Sequence, residues 1–130
     1  MNKFLPGQVR IIAGSLRGSK LPVPGHPGLR PTSDRVRETV FNWLQGDIAG
    51  ANVLDLFAGT GALGFEAASR GAAQVQMVER DAALAGQLRA SAERLKCPNV
   101  RVETADALGW LATAVAGPFD VVFLDPPFAA

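Results

Sequence analysis

The stretch Val53-Leu54-Asp55-Leu56-Phe57-Ala58-Gly59-Thr60-Gly61-Ala62-Leu63-Gly64 decides the fold. Its first five residues are an apolar run broken only by Asp55, the pattern of a buried strand. Gly59, Gly61 and Gly64 then fall in the spacing G-x-G-x-x-G, and a helical stretch, Ala62–Arg70, runs on to Gly71. Strand, glycine turn and helix in that order open a βαβ unit of the nucleotide-binding kind. Glycine suits such a turn because the backbone bends tightly and no Cβ separates it from a ligand.

Downstream, the same rhythm repeats. Val75–Glu79, Val100–Glu103 and Val121–Leu124 read as further strands, and Val53–Phe57 is the first of the four. Between them, Asp81 is positioned to cap a helix carrying Leu84, Leu88 and Leu95 that ends before Pro98, and Leu108–Ala116 forms another. Strands alternating with helices predict an α/β fold with a parallel sheet and right-handed crossovers.

Upstream, Gln8–Ala13 and Ser19–Val23 flank a glycine-bounded loop and read as a β-hairpin. Pro24-Gly25-His26-Pro27-Gly28 is a linker, with the only histidine as a loop residue. Thr32, Ser33 and Asp34 are N-cap candidates for a helix in which Val36, Val40, Trp43 and Leu44 make one apolar face. Arg35 and Arg37 lie off that stripe, where they are expected to point at a ligand, and Trp43 is expected in the core. Two units follow: residues 1–28 as a basic hairpin and linker, and 29–130 as the ligand-binding domain.

Composition narrows the class. At 130 residues the chain has the size of one domain of about 100–150 residues. With 48% hydrophobic residues it can build a core, so disorder is not expected. No stretch reaches the roughly 20 apolar residues of a membrane span, and the first seven residues hold no secretory apolar region. The single cysteine, Cys97, forms no internal disulfide and fits a reducing compartment, so a cytoplasmic location is expected. The net charge of +1 conceals an asymmetry. Residues 1–37 carry seven bases against Asp34 alone, whereas the remainder carries six bases against eleven acids. A basic arm on an acidic body is suited to a polyanion such as RNA.

The acids mark the ligand. Asp55, beside the glycine turn, would repel the diphosphate of a dinucleotide but attract the ammonium and sulfonium of S-adenosylmethionine. Glu79 ends the second strand, twenty positions after Gly59, where an acid accepts from ribose hydroxyls. Asp106, with the Ala107 amide, stands after the third strand, placed to meet the adenine edge or merely to cap a helix. After the fourth strand comes Asp125-Pro126-Pro127-Phe128. A base amine is a poor nucleophile because its lone pair is delocalised into the ring. The Asp125 carboxylate and the Pro126 carbonyl can hold both N–H groups, localising that pair, while Phe128 offers a stacking face.

With those motifs, the chain resembles the class I S-adenosylmethionine-dependent methyltransferases. More narrowly, it resembles the bacterial 16S rRNA guanine-N2 methyltransferases. The resemblance rests on Arg10–Gly14, Leu16–Gly18, Lys20–Val23 and above all Leu29–Leu44, and it covers nearly the whole chain. It implies cofactor contacts from Thr32, Asp55, Phe57, Gly59, Gly61, Glu79, Arg80, Asp106 and Ala107. It also implies catalytic positioning by Asp125, Pro126, Pro127 and Phe128, and RNA contacts from Arg10, Arg17, Lys20, Arg30, Arg35 and Arg37. The implied substrate is 16S rRNA in the assembling small subunit, with no metal. The implied fold is a Rossmann-like class I methyltransferase sheet, here partial, in the order 3-2-1-4. Such a sheet ordinarily has seven strands, so the chain is expected to be a C-terminally truncated form with its fourth strand an open edge. Ser19 stands where the family commonly has arginine. An adenine-N6 or DNA amino-methyltransferase, a non-catalytic cofactor- or RNA-binding fragment, and an NAD-dependent oxidoreductase remain alternatives. The last is disfavoured by Asp55 and by a chain without tyrosine.

Overall fold

The apolar runs become strands and the intervening segments helices. The computed structural model describes residues 8–23, 33–113 and 117–126. Arg30, Thr32, Pro127 and Phe128, named above as site residues, lie outside the described residues, as does His26. Along the described chain run strands β1 (Gln8–Arg10) and β2 (Lys20–Pro22), helix α1 (Asp34–Trp43), β3 (Asn52–Asp55) and α2 (Ala62–Ser69). They are followed by β4 (Gln74–Glu79), α3 (Ala82–Arg94), β5 (Val100–Thr104), α4 (Ala107–Thr113) and β6 (Val121–Phe123).

Strands β1 and β2 form an antiparallel hairpin in which Val9 faces Leu21 and Arg10 faces Lys20. The other four form one sheet in the order β5-β4-β3-β6, with every pairing parallel. Strand β3 is central and is buried on both faces, which is why its sequence is apolar without alternation. Val53 belongs to the larger core, with Phe65, Val75, Met77, Leu88, Phe123 and the hairpin residues Val9, Ile11 and Leu21. Its neighbour Leu54 points the other way, into a smaller cluster with Leu56, Val78 and Ala107. The hairpin thus shares the main core with the sheet.

The helix signals act as expected from the sequence. Ser33 caps α1 by accepting from the Val36 amide, and Asp81 caps α3 by accepting from the Leu84 amide. Gly71 follows α2 with φ +103°, the left-handed conformation that ends a helix. Strand β3 ends at Asp55 rather than Phe57, because Leu56 and Phe57 already turn toward the glycine loop.

Helix α1 bears out half of the expected apolar face, since Val40 and Leu44 pack against the main core, and corrects the rest. Its buried residues are Arg37 and Phe41, whereas Val36 is 51% and Trp43 78% exposed. Trp43 is therefore outside the core, and Arg37 is inside it. The face is set by two contacts that apolar counting misses. Phe41 packs on Phe123 at 5.5 Å between ring centroids and lies under the Arg70 guanidinium at 4.9 Å. One turn earlier, Arg37 Nη1 donates to Glu66 Oε1 at 3.0 Å, both side chains being fully buried.

Glu66 is the hub of this arrangement. Its Oε1 also accepts from the Ile12 amide at 2.9 Å, and its Oε2 from the Ala13 amide at 3.1 Å and Arg70 Nε at 2.9 Å. Arg37 Nη2 reaches the Arg10 carbonyl at 2.9 Å and also pairs with Asp34. Beside this cluster, Gly14 packs so closely on α2 that a Cβ would lie 2.0 Å from the Ser69 carbonyl oxygen. Ser69 Oγ donates to the Ala13 carbonyl and accepts from the Leu16 amide.

Losing Arg37 strips Glu66 of its fully buried counter-charge and leaves it Arg70 and two amides, so Arg37→Met is expected to destabilise the chain by about 3 kcal/mol, the lower end for a broken buried pair. Trp43→Ala, on the solvent side of the same helix, is expected to stay within about 0.5 kcal/mol of the parent. Urea denaturation of both variants checks the pair. The reverse ranking would restore the face expected from the sequence.

Candidate functional site

The glycine turn lies at the carboxyl end of β3, where open parallel sheets place their ligands. Gly61 is the N-cap of α2 at φ +81°, and a Cβ there would stand 2.7 Å from both Leu88 Cδ2 and Phe65 Cδ2. At Gly64 a Cβ would stand 2.5 Å from Met77 Cε, so this glycine lets α2 settle onto β4. Five of the turn's amides are spent inside the fold. Ala58 N donates to the Val78 carbonyl, Gly61 N to the Ala58 carbonyl, and Ala62 N to Thr60 Oγ1. Gly59 N donates to Glu79 Oε1 at 2.8 Å and Gly64 N to Asp55 Oδ2 at 3.0 Å. A dinucleotide site keeps such amides for a pyrophosphate; here carboxylates and carbonyls hold them.

Asp55 is 1% exposed, and its carboxyl is pushed up to about 7. Burial is the largest cause, the Gly64 amide draws it back down, and the charges of Asp125 and Glu79 push it up again. The expectation that Asp55 repels a diphosphate as a full anion is thereby weakened. Its visible work is to anchor the first turn of α2. The negative character of the site comes from three acids at the carboxyl ends of β3, β4 and β6 that are close enough to feel one another.

Glu79, half-buried at the end of β4, joins two structures. Its Oε1 holds the glycine turn, and its Oε2 accepts from the Asp81 amide at 2.9 Å, just ahead of α3. A carboxylate has about four lone-pair positions, so acceptor capacity remains for hydroxyl groups. Asp106 is exposed and caps α4, accepting from the Gly109 amide at 3.1 Å, and Ala107 beside it is buried. Phe57 packs against the smaller core cluster, and Arg80 is exposed. Asp125 is exposed and Pro126 half-buried, directly after β6.

The basic residues divide. Arg10, Arg17, Lys20 and Arg35 are exposed. Arg37 is not: full burial against Glu66 removes it from any RNA-facing surface and corrects that expectation. Sequence reasoning also missed Glu66. Its signal was a lone acid in Ala62-Leu63-Gly64-Phe65-Glu66-Ala67-Ala68-Ser69, an otherwise small and apolar helix that has no reason to carry a charge unless a partner is brought to it.

These features match known proteins. The family described as conserved hypothetical protein 95 matches residues 9–130. The chain belongs to this family. It is 54% identical over 122 residues to ribosomal RNA small subunit methyltransferase D of Escherichia coli strain K12, covering 94% of this chain and 61% of that protein. It is 52% identical over 125 residues to the protein of the same name from Haemophilus influenzae, covering 94% and 65%. The chain therefore spans just under two thirds of the length of these relatives. Among solved structures, the E. coli protein yhhF, described as a candidate methyltransferase, superposes with a TM-score of 0.86 at 49% identity, covering 94% of this chain and 65% of that one. A Trypanosoma brucei PRMT1 enzyme–prozyme complex with AdoHcy superposes with a TM-score of 0.58 at 26% identity, covering 68% and 28%. The methyltransferase resemblance seen in the sequence and these matches agree.

An acid whose pKa rises on folding holds its proton more tightly when folded. Its contribution therefore favours the folded state at low pH and is lost as pH climbs from the ordinary 3.8 through about 7. Asp55→Asn keeps an oxygen for the Gly64 amide but cannot ionise. The variant is expected to gain on the parent in urea denaturation at about pH 7.5 relative to about pH 4.5. Equal pH dependence in both proteins would show that Asp55 is ionised at little cost.

Proposed function

We propose that this chain carries the cofactor-binding and amine-positioning half of an S-adenosylmethionine-dependent methyltransferase acting on the N2 amine of a guanine in 16S rRNA. One observation carries the reading: a glycine turn in which five amides, those of Ala58, Gly59, Gly61, Ala62 and Gly64, are already taken within the fold, bordered by acids at the ends of three adjacent strands. Such a site favours a cationic ligand over a polyphosphate. The names of the relatives, which are small-subunit rRNA methyltransferases, and the AdoHcy complex of a structural neighbour support the same choice.

S-adenosylmethionine supplies a methyl group already activated on a sulfonium. The protein's own task is to bind, orient and accept. Glu79, held by two amides, presents its remaining lone pairs to ribose hydroxyls. The second oxygen of Asp106 and the Ala107 amide meet the adenine edge. Asp125 and the Pro126 carbonyl hold the two N–H groups of the target amine, so that its lone pair faces the methyl. Phe128 stacks on the base, and Pro127 stiffens the backbone between them. Arg10, Arg17, Lys20, Arg30 and Arg35 grip the phosphates, with Thr32, Phe57 and Arg80 bordering the cofactor. The assembling small subunit, in the cytoplasm, is the natural source of such an RNA.

Calorimetric titration with S-adenosylhomocysteine is expected to show saturable binding, and NAD none. Asp125→Ala is expected to retain that binding within about twofold while losing about a hundredfold or more in methyl transfer to small-subunit rRNA, the scale of removing one transition-state contact. Nucleoside analysis of the reacted RNA should yield N2-methylguanosine. NAD binding would overturn the cofactor assignment. A methylated adenine, or methylated DNA, would overturn the base assignment, and undiminished transfer by Asp125→Ala would overturn the role of that carboxylate.

A further inference from the structure

The hairpin rung formed by Arg10 and Lys20 is unusual in its surroundings. The two residues are direct cross-strand partners, and both side chains are exposed above the buried Val9–Leu21 pair. Like charges directly opposite each other destabilise a strand pair. Among the described residues, neither cation makes an ion pair. The fold nevertheless fixes this rung from both sides. On the β1 side, buried Arg37 donates to the Arg10 carbonyl at 2.9 Å. On the β2 side, Arg94 Nη2 donates to the Lys20 carbonyl at 2.7 Å.

Arg94 is the last residue of α3, 74 positions from Lys20, and it is exposed. A guanidinium has five N–H donors in a fixed fork. The Lys20 carbonyl orients the fork and leaves donors pointing elsewhere. Arg94 likewise makes no ion pair among the described residues. Three exposed cations from two distant parts of the sequence are therefore tied to one hairpin rung, Arg10 and Lys20 as cross-strand partners and Arg94 through the Lys20 carbonyl, and an anion would complement them.

The geometry points to Arg94 as a third phosphate-binding cation of the RNA-facing surface, acting with Arg10 and Lys20. This rests on the reading of the hairpin as the RNA-contacting arm, and it extends that surface from the N-terminal segment onto α3. Each phosphate neutralised releases condensed counterions, so the contact is visible in the salt dependence of binding.

The test is titration of a synthetic RNA stem–loop into the parent chain and single variants over a range of salt. Arg94→Gln keeps a donor for the Lys20 carbonyl but loses the charge. It is expected to weaken binding roughly fivefold at low salt and to reduce the slope of log K against log salt by about one. Arg94→Lys keeps the charge and is expected to keep both slope and affinity within about twofold. If Arg94→Gln binds with the parent slope while Arg10→Gln and Lys20→Gln each lower it, Arg94 is only a tether between α3 and the hairpin and the proposal falls. An Arg94→Lys variant as impaired as Arg94→Gln would also overturn it, since charge would not then be the cause. If Arg10→Gln and Lys20→Gln also leave the slope untouched, the RNA-arm reading itself is wrong and this proposal goes with it.

Discussion

A single buried carboxylate organises the molecule. Glu66 sits in the middle of α2 with no exposure and accepts four hydrogen bonds, from two backbone amides and two guanidinium groups. Removing a charged pair from water costs several kcal/mol per ion, and only near-complete hydrogen bonding offsets it. Glu66 meets that condition. Arg37 nearly does, leaving its Nε as a buried donor with no partner among the described residues. The consequence is connection more than stability. The carboxylate ties α2 to α1 through Arg37 and to the end of the hairpin through Ile12 and Ala13.

That tie reaches the site, because α2 begins at the glycine turn. Its first turn is pinned to β3 by Asp55 and Gly64, and its middle to the hairpin by Glu66. Pro22 of β2 lies with Gly59, Thr60 and Leu88 around one shallow depression, so the hairpin borders the turn directly. The basic hairpin and the acidic strand ends are therefore tied together through α2, with opposite charge on the two parts. Such separation lets one surface attract phosphates while the other remains suited to a cation.

The parallel sheet was legible in the sequence, since β3 is a buried apolar run, β4 and β5 carry recurring valines, and Asp81 and Gly71 mark helix ends. The interior of α1 was legible only in part, in Val40 and Leu44, which pack against the main core. Periodicity counts apolar residues, and the residue that buries most completely in α1 is an arginine whose partner lies 29 positions away. Val36 and Trp43 satisfied the count but stay exposed, because the ion pair and the Phe41–Phe123 contact set the rotation of the helix. The strand ends that carry Asp55, Glu79 and Asp125 were legible in the chain. Their burial and partners depend on tertiary packing. Nothing local distinguishes Asp55, spent on Gly64, from Asp106, which caps an exposed helix.

The two halves of the site differ in how firmly they are held. The glycine turn lies between β3 and β4 and is braced by α2 and α3. Asp125 follows a three-residue edge strand paired only with β3, through Val121, Val122 and Phe123, among the described residues. Val122 and Leu124 are 48% and 65% exposed there, and Leu108 and Leu111 of α4 are exposed as well. Two contacts compensate. Asp120 and Asn52 exchange hydrogen bonds at the start of the strand, its amide to the Asn52 carbonyl and the Asn52 amide to its carboxylate, each at 2.8 Å. At the other end Phe123 packs on Phe41, which lies under Arg70, itself bonded to Glu66. The position of Asp125 thus rests on register at one end and, at the other, on the same buried carboxylate that fixes the hairpin. An edge strand with so few rungs would otherwise be free to slip, and a one-residue slip would turn Phe123 out of the core and carry Asp125 away from Asp55.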